Sequence, residues 1–301
     1  MRILVTGTSG YVGQHLLDAL ARTGGHTVTA AYGSLETFED DFGGTCACRS
    51  CDLSDRLAVV ELVRSCSPEV VVHLGAVSSP AACEKDPERA RAINCPTALL
   101  DALPPTSALV FLSTDQVYEG VSAPYLETSP TEPVNAYGRS KLEFERAVLA
   151  ALPRRSVCLR SSLILGPPTR GRCRKQSFLQ FCDERLRLDE PTDFFSDEFR
   201  SVVSVEDIVL ILLWLIDGGV TAAPGVYNMG GPERLTRVGV AEAVARAKGL
   251  PADRIRPVER AKLPAAPGAP RSPPDIAMDS SKLVAASGIT LRPLSAMLSG
   301  L

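Results

Sequence analysis

The chain has 301 residues, of which 45% are hydrophobic and 22% are charged, so it can bury a full core and is not a disordered protein. Its net charge of −3 and its pI near 5.8 give no electrostatic basis for binding nucleic acid. The longest apolar run, the nine residues 208–216, is too short to span a bilayer and is predicted to be a buried helix. We therefore expect neither a nucleic-acid nor a membrane partner.

The nine cysteines are an odd number and are spread through predicted core elements, which favours reduced thiols over a disulfide framework. No cleavable signal precedes the first predicted strand, which begins at residue 2. A cytoplasmic protein is therefore expected. Cys46, Cys48 and Cys51 are closely spaced, but the three histidines are scattered and supply no fourth zinc ligand. We expect ordinary strand cysteines and no metal site.

A glycine-rich turn follows the first apolar segment, residues 3–5, and precedes an amphipathic segment. Gly7, Gly10 and Gly13 stand at the spacing of a dinucleotide-binding turn, and strand, turn and helix follow in the required order. The first glycine allows the tight turn, the second lets backbone approach a pyrophosphate, and the third lets the helix pack on the strand. Incidental glycines in a purely structural turn are the alternative, but this context favours dinucleotide binding.

Strand-like and helix-like segments then alternate, as in a parallel sheet with crossover helices. Further strands are predicted at 27–31, 47–51, 70–74, 108–113 and 157–164, and helices through 58–63 and at 87–103 and 137–152. His73 lies inside an apolar strand, so we expect a core histidine with satisfied hydrogen bonds.

Beyond residue 165 the alternation weakens. Helices are predicted near 176–186, 205–216 and 238–248, with a proline-rich extended loop at 263–274. The predicted fold is an α/β, Rossmann-type doubly wound parallel sheet with a small C-terminal substrate-binding lobe. Residues 1–165 would form the NAD(P)-binding domain and residues 166–301 mostly the lobe, with elements returning to the main sheet.

Tyr137 and Lys141 are four residues apart on a predicted helix, so both side chains project from one face. A tyrosine has a reference pKa of about 10 and exchanges protons poorly near neutrality. A nearby ammonium stabilises the phenolate and lowers that pKa. An ordinary surface pair is the alternative for these two residues taken alone. However, Ser113 and Thr114 end a predicted strand, and ligands bind at the carboxyl ends of parallel strands.

These motifs resemble those of the extended short-chain dehydrogenases/reductases. Residues 6–13 (TGTSGYVG) match TGxxGxxG, residues 137–141 (YGRSK) match YxxxK, and Thr114 holds the family's catalytic Ser/Thr position. Within this superfamily the chain resembles the dTDP-4-dehydrorhamnose reductases over nearly its whole length. The stretches that carry this likeness are 83–94 (CEKDPERARAIN), 112–120 (LSTDQVYEG), 198–208 (EFRSVVSVEDI) and, more weakly, 273–283 (PPDIAMDSSKL).

The resemblance implies an NAD(P)-dependent oxidoreductase that uses NADP(H) or NAD(H) to reduce a nucleotide-linked 4-keto sugar. Tyr137 would give a proton to the substrate carbonyl, Thr114 would hydrogen-bond that carbonyl, and Lys141 would bind the nicotinamide ribose and tune Tyr137. The residues implied to contact the cofactor are Gly7, Gly10, Tyr11, Val12, Gly13, Asp52, Leu53, Leu74, Gly75, Ala76, Ser113, Tyr137 and Lys141. Leu163 and Val202 depart from the family's usual aromatic residue and proline, which leaves the sugar open.

Two other functions stay open. A non-catalytic regulatory subunit, like the methionine adenosyltransferase β subunit, keeps the same fold, and the apolar C-terminus 291–301 would suit docking. An epimerase or dehydratase is the other option, although Thr114 is followed by Asp115 and Gln116 and not by the acidic pair of a dehydratase. The expected partners are thus a sugar nucleotide and either a second copy of the chain or a regulated enzyme.

The end of the second strand bears on cofactor choice. Sites that prefer NAD place an acid there to bind the ribose 2′-OH, whereas residues 29–34 contain none. Glu36 is the first carboxylate and comes late, and Arg49 could reach a 2′-phosphate only from the neighbouring strand. The sequence therefore favours NADPH, or tolerance of both cofactors, over strict use of NADH.

Overall fold

The computed structural model describes residues 1–33, 38–173, 176–263 and 268–299. Glu36, part of the proline-rich loop and the last two residues of the C-terminal segment 291–301 lie outside the described residues.

A seven-stranded, entirely parallel sheet forms the centre of the molecule, in the order β3-β2-β1-β4-β5-β6-β11. This confirms the predicted Rossmann-type fold. The thirteen strands of the described residues are β1 (Arg2–Thr6), β2 (Thr27–Tyr32), β3 (Ala47–Ser50), β4 (Val70–His73), β5 (Ala108–Thr114), β6 (Ser156–Ser161), β7 (Ile164–Leu165), β8 (Thr192–Phe195), β9 (Phe199–Ser201), β10 (Val203–Ser204), β11 (Gly225–Met229), β12 (Arg234–Thr236) and β13 (Ile255–Val258).

Helices cover both faces of this sheet through two apolar clusters. The α-helices of the described chain are α1 (Tyr11–Thr23), α2 (Phe38–Phe42), α3 (Arg56–Cys66), α4 (Pro80–Lys85), α5 (Pro87–Asn94), α6 (Thr97–Ala102), α7 (Ala136–Ala151), α8 (Phe178–Arg187), α9 (Val205–Trp214), α10 (Val220–Ala222), α11 (Arg237–Lys248), α12 (Ser281–Ser287) and α13 (Leu294–Leu298). None of them is long and apolar enough to cross a membrane.

Two predicted elements prove to be divided. The single helix predicted over 87–103 is α5 followed by α6, because Pro96 has no N–H to donate and keeps Cys95 out of the helical region, at φ −127° and ψ 59°. The strand predicted over 157–164 ends at Ser161. The next two strand residues, in β7, pair with β10 outside the main sheet.

The chain from residue 164 onward builds a separate apolar cluster and three two-stranded sheets, β7 with β10, β9 with β12 and β8 with β13. Strand β11 returns to the main sheet beside β6. The cluster unites α8, α11 and α13, and its buried members include Leu165, Leu179, Leu186, Phe194, Leu294 and Met297. This cluster begins next to the carboxyl end of β6, because β7, which contributes Leu165 to it, follows β6 closely in the chain.

Candidate active site

The glycine turn after β1 leaves no room for side chains. Gly7 has φ +72°, and a Cβ there would lie 2.5 Å from the Cα of Gly75, at the end of β4. A Cβ on Gly13 would lie 2.6 Å from the carbonyl oxygen of Gly7. Gly10 donates its N–H to that same oxygen at 3.0 Å. The turn therefore packs backbone against backbone, and an added methyl group would open it.

The N-terminus of α1 fits an anionic ligand. Its N-cap, Gly10, has no side chain to cap the helix, and the first turn holds no acidic residue. The first N–H groups and the positive end of the helix dipole therefore remain for a phosphate. The Tyr11 hydroxyl donates to the carbonyl of Pro167 at 2.7 Å, so this side chain anchors the loop after β7. Only the backbone of Tyr11 and Val12 remains for a pyrophosphate.

Asp52 and Leu53 follow β3, where the adenine end of a dinucleotide is expected. The Asp52 carboxylate accepts hydrogen bonds from the Ser54 hydroxyl at 2.7 Å and its N–H at 2.9 Å, and these lower the pKa of Asp52. The Leu53 side chain packs directly on Gly75, so that a Cβ on this glycine would collide with it. Leu53, Gly75 and the glycine turn thus form one contiguous surface. Leu74 and Ala76 are partly exposed on either side of Gly75.

A carboxylate that the sequence did not suggest reaches the end of β2. The Tyr32 hydroxyl donates to Glu39 of α2 at 2.6 Å, and this bond raises the pKa of Tyr32 to about 12. On the neighbouring strand, Arg49 is exposed and in register with Ala31 of β2. One acidic and one basic side chain therefore lie near the place where a ribose 2′ substituent is expected.

Helix α7 brings Tyr137 beside Thr114. Asn135 caps the helix by accepting the N–H of Gly138 at 2.9 Å, and its amide donates to Gln116 at 2.8 Å. A Cβ on Gly138 would collide with the carbonyl of Gln116, so the first turn of α7 lies against the 3₁₀ turn that follows β5. Because Gly138 has no side chain, α7 lies close enough to this turn for the Tyr137 hydroxyl to reach the Thr114 hydroxyl.

The phenol of Tyr137 is buried, and burial raises its pKa. A hydrogen bond with the Thr114 hydroxyl lowers this pKa, whereas the nearby Asp115 carboxylate and Cys83 thiol raise it. The net direction is opposite to the lowering expected from Lys141, because desolvation of the phenolate is the largest effect. Tyr137 is accordingly protonated at neutral pH, which suits a proton donor.

Lys141 is almost fully buried one turn along α7, with its Nζ 4.1 Å from the centre of the Phe111 ring. Burial lowers the pKa of Lys141 to about 7, against the opposing influence of Cys158 and Glu145. Near neutral pH the charged and the neutral form of the Lys141 amine are therefore both populated. Small changes around it will change its protonation state.

We expect Lys141→Met to weaken cofactor binding and to move the pH optimum of reduction upward, because the phenolate of Tyr137 loses the cation one helical turn along α7. Steady-state kinetics across a pH series, with fluorescence titration of the cofactor, measure both effects. An unchanged pH profile in an active Lys141→Met variant would count against the tuning role.

Ser113 belongs to a buried polar network. Its hydroxyl donates to Glu145 of α7 at 2.9 Å, and Glu145 pairs with Arg160 of β6 at 2.5 Å. Arg160 also donates to the Tyr118 hydroxyl at 2.8 Å. This network joins α7 to β5 and β6 at Glu145, one helical turn beyond Lys141. A contact of Ser113 with the cofactor stays a prediction.

His73 is fully buried, as expected, but only half of its hydrogen-bonding capacity is used. Its Nδ1 is 2.7 Å from the Thr6 hydroxyl, whereas its Nε2 has no hydrogen-bond partner among the described residues. Burial and the charge of Lys141 lower the pKa of His73 to about 3, so the ring is neutral. The imidazole thus contacts Thr6, the last residue of β1, and the buried rings of Phe111 and Phe144.

The three cysteines at 46–51 are free thiols, and burial raises the pKa of each. No group of three or more His, Cys, Asp or Glu side chains is placed to hold a metal within the ranges that the structure describes.

The glycine turn and the Thr114, Tyr137 and Lys141 side chains thus share the carboxyl edge of a parallel sheet with the order 3-2-1-4-5-6. This fold and this set of residues define an extended short-chain dehydrogenase/reductase. The family described as RmlD substrate binding domain matches residues 1–300. The chain belongs to that family.

Two groups of curated relatives are similar over nearly the whole chain. The dTDP-4-dehydrorhamnose reductase of Mycolicibacterium smegmatis is 32% identical over 294 residues, covering 96% of this chain and 81% of that protein. The methionine adenosyltransferase 2 subunit beta of Xenopus laevis is 28% identical over 294 residues, covering 94% and 81%. The chain is therefore similar both to a reductase and to a regulatory subunit.

Solved structures confirm the fold. A dTDP-4-dehydrorhamnose reductase from Clostridium acetobutylicum has a TM-score of 0.82 at 21% identity, covering 100% of this chain and 98% of that one. A Bacillus anthracis dTDP-4-dehydrorhamnose reductase in complex with NADP has a TM-score of 0.79 at 19% identity, covering 99% and 97%. The Thermus thermophilus UDP-glucose 4-epimerase complex with NAD has a TM-score of 0.82 at 24% identity, covering 99% and 98%.

Proposed function

We propose that this protein reduces the carbonyl of a nucleotide-linked 4-keto sugar with NADPH or NADH. One observation carries the proposal: a buried, protonated Tyr137 is held beside the Thr114 hydroxyl, one helical turn from Lys141, at the sheet edge that also carries the glycine turn. The similarity to the Mycolicibacterium smegmatis reductase supports the substrate class.

Each residue has a distinct role in the proposed reaction. The nicotinamide, when bound, supplies a hydride to the carbonyl carbon. Thr114 donates a hydrogen bond to the carbonyl oxygen and orients it, and Tyr137 transfers its phenolic proton to that oxygen as negative charge develops. Lys141 stabilises the resulting phenolate and holds the nicotinamide ribose. Residues 1–165 would bind the cofactor, and the apolar cluster beyond residue 165 would support the substrate side.

The experiment that tests this function is turnover of dTDP-4-dehydrorhamnose by the purified chain, followed by loss of NADPH absorbance. We expect turnover that disappears in Tyr137→Phe. A chain that binds NADPH but shows no turnover with this or a UDP-linked 4-keto sugar would exclude the proposed reaction for these substrates.

A regulatory subunit is the second candidate, and the similarity to methionine adenosyltransferase 2 subunit beta specifically favours it. In that case the same fold would bind a cofactor without turning over a sugar. Copurification with a methionine adenosyltransferase, in a chain that fails the turnover assay, would support this function.

Cofactor choice gives a separate prediction. We expect NADPH to be used at least as well as NADH, because Arg49 can approach a 2′-phosphate while the Glu39 carboxylate is engaged by Tyr32. Glu39→Gln should shift the preference further toward NADPH, since it removes a negative charge near that phosphate. The ratio of kcat/KM values for the two cofactors measures both effects. A wild-type preference for NADH above about tenfold, or about 1.4 kcal/mol, would contradict the prediction.

A further inference from the structure

The carboxylate of Asp115 is buried beside the hydroxyls of the candidate active site. Asp115 directly follows Thr114, the last residue of β5, and only 4% of its surface is exposed. Its Oδ1 accepts a hydrogen bond from the Thr114 hydroxyl at 3.1 Å, and its Oδ2 accepts one from the Ser162 hydroxyl at 3.0 Å. Within the residues that the structure describes, Asp115 forms no ion pair. A buried carboxylate whose hydrogen bonds come from hydroxyl groups is costly to keep charged.

The charged and titratable groups around Asp115 come from three other elements. Burial raises the pKa of Asp115, whereas the charges of Arg200 on β9 and Arg237 on α11 and the two hydroxyl hydrogen bonds lower it. The phenol of Tyr137 on α7 is also near Asp115 and keeps its proton at neutral pH. The pKa of Asp115 is raised overall, because burial is the largest of these effects. The neutral acid therefore persists to higher pH than in an ordinary aspartic acid.

While Asp115 is ionised, the Thr114 hydroxyl has no hydrogen to spare. A threonine hydroxyl has one hydrogen and two acceptor lone pairs. The backbone N–H of Gln116 donates to the Thr114 oxygen at 3.2 Å, and the Tyr137 phenol hydrogen-bonds the same hydroxyl. The hydrogen of Thr114 is donated to Oδ1 of Asp115. Thr114 can therefore donate to a substrate carbonyl only after this bond is broken.

Protonation of Asp115 reverses the direction of this hydrogen bond. When the carboxylate takes one proton from solvent, it gains an O–H that can donate to the Thr114 oxygen. The hydrogen of Thr114 is then free for a carbonyl oxygen, where a donated hydrogen bond stabilises the developing negative charge. We propose that Asp115 is the positioning residue of the Thr114 hydroxyl: the carboxylate holds the Thr114 hydrogen, and the neutral acid releases it to the substrate carbonyl. This assignment rests on the proposed function.

The first test needs no turnover. It follows the titration of Asp115 in the full chain by NMR of its isotope-labelled side-chain carboxyl carbon, with Asp115→Asn to assign the signal. Thr114→Val keeps the shape of the side chain but removes the hydroxyl, so it should move this titration upward by about one pH unit, since the carboxylate loses a hydrogen bond. Ser162→Ala should move it in the same direction. Ser156→Ala is the matched control, because the buried Ser156 hydroxyl donates to the carbonyl of Leu152, and the titration should stay in place.

The second test uses the pH dependence of kcat/KM, which reports the ionisations of the free enzyme. Wild-type kcat/KM should fall about tenfold for each pH unit above the Asp115 pKa, since the neutral acid is lost. Asp115→Asn keeps an N–H that can donate to Thr114, so its decline should begin only where Lys141, with a pKa lowered to about 7, loses its charge. Asp207→Asn is the matched control. Asp207 is also buried and burial raises its pKa, but its carboxylate accepts the backbone N–H of Arg292, so the decline should match that of wild type.

The outcomes separate this assignment from the proposed function. An unchanged Asp115 titration in Thr114→Val would overturn the assignment, whether or not the chain reduces a sugar. A decline of kcat/KM at the same pH in wild type and Asp115→Asn would overturn it as well. In a Thr114→Val background, Asp115→Asn should no longer move the decline, and a full shift there would show that Asp115 acts by another route. If Thr114→Val moves the titration but no 4-keto sugar is reduced at any pH, the control of Thr114 by Asp115 stands and the proposed reaction fails.

Discussion

Tyr137→Phe is expected to lower kcat for carbonyl reduction by about 10²- to 10⁴-fold, the usual effect of removing a positioned general acid. The ring will still fill its buried site beside Thr114, and only the proton and one hydrogen bond are lost. Cofactor affinity should therefore stay within a few-fold of wild type. Single-turnover kinetics with saturating cofactor isolate the chemical step from binding and product release.

The matched control for this variant is Tyr227→Phe. Tyr227 lies on β11, and its hydroxyl donates to the carbonyl of Ala223 at 3.1 Å, far along the chain from the proposed acid. The same chemical change there should leave kcat near wild type. Equal rates in wild type and Tyr137→Phe would remove Tyr137 from the mechanism. A comparable loss in both variants would indicate that the effect comes from the fold and not from the lost acid.

The raised pKa of Tyr137 keeps its phenol in the protonated form that reduction of a carbonyl requires. A phenol that holds its proton at neutral pH can deliver it as the carbonyl oxygen gains charge, whereas the reverse reaction first has to remove that proton. Lys141, with a pKa lowered to about 7, is charged over only part of the working range.

The sequence predicted the fold and the glycine turn well, because both depend on local patterns. Apolar strands such as 70–74 and the spacing of Gly7, Gly10 and Gly13 are set within a few residues of each other. The pairing of Tyr137 with Lys141 is local for the same reason, as it needs only one helical turn. Thr114 was predicted from its place at a strand end, and it is the last residue of β5, in parallel register with Ser161 of β6.

What the sequence missed depends on contacts between distant segments. Burial raises the pKa of Tyr137, and the spacing of residues within α7 does not predict that burial. Glu39 reaches the end of β2 only because α2 folds back onto it.

The buried pair of Glu145 and Arg160 could not be predicted from the sequence either, because the two side chains meet only when α7 packs on β6. Their side chains are 2% and 6% exposed, and the pair shares hydrogen bonds with Ser113 and Tyr118. Such a pair adds little net stability over an apolar pair of equal size, but removing one partner leaves a buried charge. The sequence of α7 or of β6 alone does not indicate that each of these charged side chains needs the other.

Arg160→Met is accordingly expected to lower the free energy of unfolding by about 3–5 kcal/mol, measured by urea denaturation. The control is Arg91→Met, which breaks an ion pair to Glu143 on the same helix α7, where the side chains are 65% and 41% exposed. That exposed pair should be worth less than about 1 kcal/mol. Combining Arg160→Met with Glu145→Leu should recover much of the loss, because no buried charge then remains without a partner. Equal losses in Arg160→Met and Arg91→Met would show that burial does not set the strength of the Glu145 pair, and that another contact holds α7 in place beneath Tyr137.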